Sequence, residues 1–448
     1  MNQQKANIQQ IIRKEFPKIT TEADLLQLLN RINSELHKEF FAAKDKKVPP
    51  IKLATLKYYK NYKVSGAKRY KTFTIKKKSG KDRFINAPAK GLKLIQQCLN
   101  EILQTYYQIN DNACGFIPDR SIVYGAKLHT DKPYVLNIDL KDFFDTITFP
   151  RVKKVLALPP FNLTGSKEPV AYIITSLCCH PKAVAKVDEN GEKITEIKQV
   201  LPQGAPTSPI LTNIVCRNLD RHLAGLAKRF KANYSRYADD ITFSAHKNIF
   251  QQDSVFMLEL KRIIEDEQGL TINPEKTRVQ SKRQRQEVTG LVVNKKVNVP
   301  QRYVKQLRLW IHYWEKFDIE KAQHFFLQQY ITQRGNVKSH KSHIENVIGG
   351  KLDYMRMVVG ESNPAYKKLR RRLDNLIQIE EHKKSTSAPQ QTSSYKQKQC
   401  AKTNKEYIAD GNGIQSLSSE QLPFTHKDDL EVLLDGLIND LSKENQSL

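Results

Sequence analysis

The spacing of apolar residues changes repeatedly along this chain, and each change marks an element. Residues 1 to about 60 set Leu25, Leu26, Leu28, Leu29 and Ile32 at helical spacing among Lys and Glu, which predicts a small N-terminal helical cap. Between 68 and 90, apolar and basic residues alternate through Tyr70, Phe73 and Ile75, then Arg83-Phe84-Ile85, with Ser79-Gly80 as the turn of a basic hairpin. Leu92, Ile95, Leu99 and Leu103 return to helical period over 92–108. The run 134–140 reads as a strand, and Asn190-Gly191 separates Ala185-Lys186-Val187 from 194–200 as a second hairpin. A helix from about 210 to 228 presents Leu211, Ile214, Val215, Leu219, Leu223 and Leu226 on one face. One short apolar run ends at Tyr234 and another begins Ile241-Thr242-Phe243; a helix follows over about 251–267. Strand, helix, strand, turn, strand, helix, strand is the order of a ferredoxin-like α+β sheet.

Beyond 300 the pattern is helical and basic to about 375, with Trp310 and Trp314 one turn apart and Lys367-Lys368-Leu369-Arg370-Arg371-Arg372 near its end. The tryptophan pair reads first as core packing and second as a stacking platform. From about 382 to 420 the chain turns to Ser, Thr, Gln, Lys and Asn, the composition of a linker or disordered segment. Residues 428–441 then place Leu430, Leu433, Leu434, Leu437, Ile438 and Leu441 on one helical face and acids on the other. Such a helix suits docking back onto the protein or recruiting a partner. The divisions expected are a helical cap at 1–60, a mixed unit at 61–300, a helical unit at 301–380, a linker at 381–420 and an acidic amphipathic helix at 421–448.

Charge narrows the class of partner. The 448 residues carry a formal net charge of +27, an excess that calls for a polyanion, and nucleic acid is the usual one. No apolar stretch of 18 residues and no charged-then-apolar leader is present, so neither a membrane span nor a secretory signal is expected. Cys98, Cys114, Cys178, Cys179, Cys216 and Cys400 form no Cys-x-x-Cys pair and read as reduced thiols of a cytoplasmic protein. Cys178-Cys179-His180 lacks a second ligand pair for zinc.

The chemistry is carried by acids. Tyr237-Ala238-Asp239-Asp240 places two carboxylates at the tip of a predicted strand-turn-strand, and paired carboxylates on a rigid turn suit hard divalent cations. Asp-Asp pairs also occur in ordinary solvated turns. Asp139 is the second signal, a lone carboxylate within the apolar run Tyr-Val-Leu-Asn-Ile-Asp-Leu, where burial is costly unless a cation or an ion-pair partner compensates it. Two such sites on strands are what a two-metal nucleotidyl transfer centre needs.

Around these acids the sequence resembles a reverse transcriptase of the bacterial retron type. The matching segments run in order through Phe73 to Arg83, Gly115-Phe116 with Ser121-Ile122, Asn137 to Phe144, Leu201 to Pro209, Tyr237 to Asp240, Gly269 to Lys276, and Val288-Thr289-Gly290. The resemblance implies a right-hand polymerase with fingers, a ferredoxin-like palm and a helical thumb. It implies Asp139, Asp239, Asp240 and Lys276 as catalytic residues, with Lys276 as general acid toward pyrophosphate. It implies two Mg²⁺ ions, or Mn²⁺, at Asp139, Leu140, Asp239 and Asp240, with Asp142 more structural. Arg83 and Lys76 across the fingers hairpin would hold the triphosphate, although Lys77, Lys78 and Lys81 compete for that role. Gln203, in the Pro202-Gln203-Gly204 turn, would line the nucleotide, and Phe144 would exclude a ribose hydroxyl.

Val288, Thr289 and Gly290 match a triplet associated with recognition of the family's structured RNA. The other retron signature, Asn-Ala followed by His, stands here as Gly125-Ala126-Lys127-Leu128-His129, with Gly in place of Asn. The partners implied are a structured noncoding RNA template, a DNA product, deoxynucleoside triphosphates and an effector protein in an antiphage system, with a homo-oligomer also compatible. The competing readings are another bacterial defence or intron-type reverse transcriptase, an RNA-dependent RNA polymerase, and a catalytically inactive RNA-binding scaffold. Ala238 and Phe144 speak against an RNA product, and the intact acids against the scaffold.

Overall fold

The computed structural model describes residues 3–76, 82–187, 193–334 and 342–386. The Ser79-Gly80 turn, Lys77, Lys78, Lys81, the side chain of Lys76, the Asn190-Gly191 turn, and the segments read as linker and acidic helix beyond 386 lie outside the described residues.

The N-terminal helices Gln3–Glu15 and Glu22–Ala42 are amphipathic and cannot bury their apolar faces alone. Thr21 starts the second helix with a capping box: its hydroxyl accepts the Asp24 amide, and the Asp24 carboxylate accepts the Thr21 amide. Ile8, Ile12, Leu25, Leu28, Leu29 and Ile32 join Leu92, Ile95, Leu99 and Leu103 of the helix Lys90–Tyr106 in one core. That core runs on through Leu136, Ile138, Ile241 and Phe243, so the helical cap and the sheet are packed as one body.

The strands are β1 (Tyr70–Lys76), β2 (Asp82–Pro88), β3 (Tyr134–Asp139), β4 (His180–Val187), β5 (Lys193–Val200), β6 (Asn233–Tyr237), β7 (Asp240–Ala245), β8 (Arg278–Ser281), β9 (Glu287–Val288) and β10 (Leu291–Val292). β1 with β2, and β4 with β5, form the two antiparallel hairpins expected from their turn signals. The main sheet is antiparallel in the order β6-β7-β3-β8. Renumbered along the chain, its strands lie 2-3-1-4, which is the ferredoxin-like arrangement. β3 is central and covered on both sides. Val135 enters a second core while Leu136 and Ile138 enter the first, and this explains an apolar run where one-sided burial would give alternation.

The helix expected over 210–228 is two helices, Ser208–Val215 and Arg217–Arg229, meeting at Cys216. The first is buried around most of its circumference, while the second exposes a polar face, so the break divides two packing environments. The helix after β7 runs over Val255–Lys261 and continues as a π-helix over Arg262–Glu267.

Helices Gln301–Lys316, Ile319–Arg334, Ile344–Val359 and Pro364–Thr386 enclose the second core. Trp310 is fully buried edge-on to Phe326 at 5.0 Å and donates its Nε1–H to Gln329 at 3.1 Å. Trp314 is buried beside it, so both tryptophans pack the core. Among the described residues no helix is long and apolar enough to cross a membrane. Cys98, Cys114, Cys178, Cys179 and Cys216 are buried free thiols, and burial pushes their ionisation up.

Candidate active site

β6 and β7 are joined by the two residues Ala238 and Asp239, with Tyr237 opposite Asp240. Ala238 adopts φ 57°, the left-handed conformation that tight hairpin turns require and that L side chains rarely adopt. β3 lies antiparallel to β7 in the register that sets Asp139 directly opposite Asp240. Just past β3, the Leu140 amide donates to the Asp239 carbonyl at 3.2 Å. Pairing between strands a hundred residues apart thus brings all three acids to one end of the sheet.

Asp139 is only 8 % exposed. Its carboxylate accepts Lys276 Nζ at 2.8 and 3.0 Å and Asn273 Nδ2 at 3.0 Å, while its carbonyl accepts the Asn273 amide at 2.8 Å. The bond to Asp139 raises the Lys276 ammonium and keeps it protonated. Asp239 is raised by burial and then by Asp139. Asp240 keeps an exposed edge, yet shielding by the surrounding chain, followed by Asp239 and Asp139, pushes it up to about 6.

Two carboxyls raised by burial and by neighbouring carboxylates mark an excess of negative charge that a divalent cation relieves, and their oxygens are the donors such an ion takes. As the side chains stand, no group of three His, Cys, Asp or Glu among the described residues is arranged to hold a metal. Lys276 Nζ bonds both carboxylate oxygens of Asp139. The carboxylate donor set fits a divalent ion chemically. Leu140, buried with its amide engaged, has only its carbonyl to contribute.

Arg83 and Gln203 line one polar cavity of about 260 Å³, together with Asn86, Asp142, Asp145 and Lys182. The hairpin register sets Arg83 opposite Ile75 and Lys76 opposite Asp82. Gln203 is fixed from behind, its carbonyl accepting the Asn86 amide at 2.7 Å. Gly204 has φ +118°, and a Cβ there would lie 2.8 Å from the Asn86 carbonyl oxygen. The close approach that demands glycine here is to strand β2.

Phe143 is buried in the first core, and half-buried Phe144 packs edge-on to it at 5.8 Å. Asp142, at φ 45°, precedes the short helix Phe143–Thr146 and is exposed on the cavity wall. Lys182 binds Asp145 at 2.6 Å across the same cavity.

Val288 lies in the second core, which removes its side chain from contact with RNA and corrects that part of the expectation. Thr289 and Gly290, at φ 47° and 84°, form the turn between β9 and β10, and Gly290 is exposed. His129 is fully buried, bonded to Ser244 Oγ and Ser235 Oγ at 2.8 Å each. It braces β6 against β7. At Gly125 a Cβ would meet Cys114 Sγ at 3.2 Å, so Cys114 occupies the room an Asn side chain would need.

Asn273 was not singled out from sequence. Its only signal is its place within the Gly269 to Lys276 segment, whereas its bond to Asp139 is a tertiary one. Gly115 is similar: a Cβ there would lie 3.0 Å from the Ala238 nitrogen, so this glycine lets its loop press against the acidic turn.

An antiparallel 2-3-1-4 sheet with acids at one end of its two central strands is the palm of a right-hand polymerase. The reverse transcriptase (RNA-dependent DNA polymerase) family matches residues 75–298. Retron Mx65 reverse transcriptase of Myxococcus xanthus is 32% identical over 323 residues, covering 69% of this chain and 66% of that protein. Retron Mx162 reverse transcriptase of the same organism is 35% identical over 264 residues, 56% of this chain and 53% of that protein. Retron Ec86 reverse transcriptase of Escherichia coli is 33% identical over 251 residues, 55% of this chain and 70% of that protein. The chain belongs to the retron-type reverse transcriptases of bacteria. Its matches span about half to two thirds of the two Myxococcus relatives. Telomerase from Candida albicans, solved with a fragment of telomeric RNA, aligns at a TM-score of 0.39 and 13% identity over 69% of this chain and 63% of that one.

Proposed function

We propose that this protein is an RNA-directed DNA polymerase that copies an associated structured noncoding RNA into DNA from deoxynucleoside triphosphates. The observation that carries the reading is the register of β3 against β7, which opposes Asp139 to Asp240 beside Asp239. Asp139, Asp239, Asp240 and the Leu140 carbonyl would hold two divalent cations, Mg²⁺ or Mn²⁺. When bound, such ions activate the primer 3′ hydroxyl and neutralise the pyrophosphate leaving group.

The remaining work falls to the chain itself. Lys276, held protonated at Asp139, would give a proton to the departing pyrophosphate once it leaves that carboxylate. Arg83 offers a planar fork to the triphosphate from the cavity wall. Lys76 is the second cation proposed for that grip. Gln203, fixed through its carbonyl, lines the same cavity. Phe144, backed by Phe143, blocks a 2′ hydroxyl and so selects deoxynucleotides. The Thr289-Gly290 turn contacts the RNA. The biological role proposed is retron-like antiphage defence with an effector protein.

Asp239→Asn with Asp240→Asn tests the centre. Nucleotide incorporation is expected to vanish while RNA association, measured by mobility shift, stays near that of the unmodified protein. Full activity in this variant would overturn the mechanism.

A further inference from the structure

Beneath the acidic turn lies an ion pair that nucleotidyl transfer does not use. Arg236 on β6 and Asp220 on the helix Arg217–Arg229 are both fully buried. Arg236 Nε and Nη2 donate to the two Asp220 oxygens at 2.7 Å each, and the Tyr234 hydroxyl donates to the same carboxylate at 2.7 Å. The guanidinium has donors left over. Nη2 reaches Asn213 Oδ1 at 3.2 Å, and Nη1 reaches the Ala238 carbonyl at 3.2 Å. Asn213 in turn donates to the Gly115 carbonyl at 2.9 Å, and Gly115 presses on Ala238 and Tyr237.

Stability does not explain this arrangement. Burying two charges costs about what their attraction returns, and apolar residues of similar size commonly replace such a pair without loss. What an apolar side chain cannot do is donate a hydrogen bond to the carbonyl of a residue held at φ 57°. That carbonyl immediately precedes Asp239. A guanidinium fixed at one end by a bidentate carboxylate has its remaining N–H directions fixed too, so it can set the turn's position within a fraction of an ångström.

We propose that Asp220 and Arg236 are positioning residues: the buried pair anchors the Ala238 carbonyl and thereby aims Asp239 and Asp240. The proposal rests on the polymerase reading, and two variants separate the two. Arg236→Lys keeps the charge but loses the fork. Asp220→Leu with Arg236→Met and Tyr234→Phe replaces the whole group by apolar atoms.

Three quantities are measured on the full chain: kcat and KM for nucleotide incorporation, the unfolding temperature, and hydrogen exchange of peptides covering 236–241. In folded variants kcat is expected to fall about 10- to 100-fold, as displacement by an ångström commonly causes, with KM for the nucleotide moved less than about threefold. Exchange is expected to rise about tenfold at 236–241, the effect of losing one charged hydrogen bond, and to stay unchanged in the peptides of β3.

A folded variant with unaltered kcat, or with exchange unchanged at the hairpin or raised across the whole sheet, overturns the proposal. So does failure of both variants to fold, since the pair would then hold the domain and not the turn. If the unmodified protein incorporates no nucleotide while the local exchange effect is present, the polymerase reading falls and the anchoring role stands.

Discussion

Adjacent Phe143 and Phe144 meet different surroundings, and that difference decides what each can do. Phe143 fills the core; Phe144 is half-buried at its edge with its ring backed by its neighbour. Phe144→Ala is expected to raise ribonucleotide incorporation relative to deoxynucleotide at least tenfold, about the discrimination of a well-placed steric contact. Unchanged sugar discrimination in a competition assay would remove Phe144 from that role. His129 makes a second prediction. Burial lowers its pKa from 6.5 to about 3, so the folded form stays neutral where the unfolded chain takes up a proton. Stability is therefore present above about 6.5 and is lost as pH falls toward 3, by up to about 1.4 kcal/mol per pH unit. His129→Gln should flatten the fall in urea midpoint between about pH 7 and pH 5 relative to the unmodified protein. Equal slopes would show that the proton uptake lies elsewhere.

At the scale of elements, the site depends on turns set against strands. The Pro202-Gln203-Gly204 turn is closed by Ser208 Oγ donating to the Pro202 carbonyl at 2.7 Å and is pressed on β2 at Asn86. Gly204→Ala puts a Cβ into the Asn86 carbonyl at a left-handed backbone position, costing about 1–3 kcal/mol. The expected result is a lower unfolding temperature together with a several-fold higher KM for nucleotide, because Gln203 moves with the turn. A lower unfolding temperature with unchanged KM would separate Gln203 from the nucleotide. The elements themselves were largely legible in the sequence. Alternation over 70–88, the Asp-Asp turn and the Leu92 to Leu103 spacing each specify an element through contacts local to it. The break at Cys216 was not legible, since both halves keep helical period and only their packing partners differ.

At the scale of the whole molecule, two cores meet on the central strand. A protein of net charge +27 that binds RNA mainly through phosphates should lose about three orders of magnitude in affinity between about 50 and 200 mM salt. A shallow dependence, read from the slope of log affinity against log salt, would mean that shape and base contacts dominate. The sheet explains why the acids converge. β3 is flanked by strands from both later parts of the chain, so the end of one strand gathers Asp139, Asp239, Asp240, Asn273 and Lys276.

By itself the sequence determined the kinds of element, their order, the acids at the turn and the excess of positive charge. Periodicity, turn chemistry and charge are properties of neighbours along the chain. Only the tertiary structure decided that Asp139 faces Asp240, that Lys276 holds Asp139, that Val288 is interior and that Arg236 reaches from Asp220 to the turn. Those facts join residues far apart in sequence. Burial and the need of each buried polar group for a partner select them, and neither has a local signature.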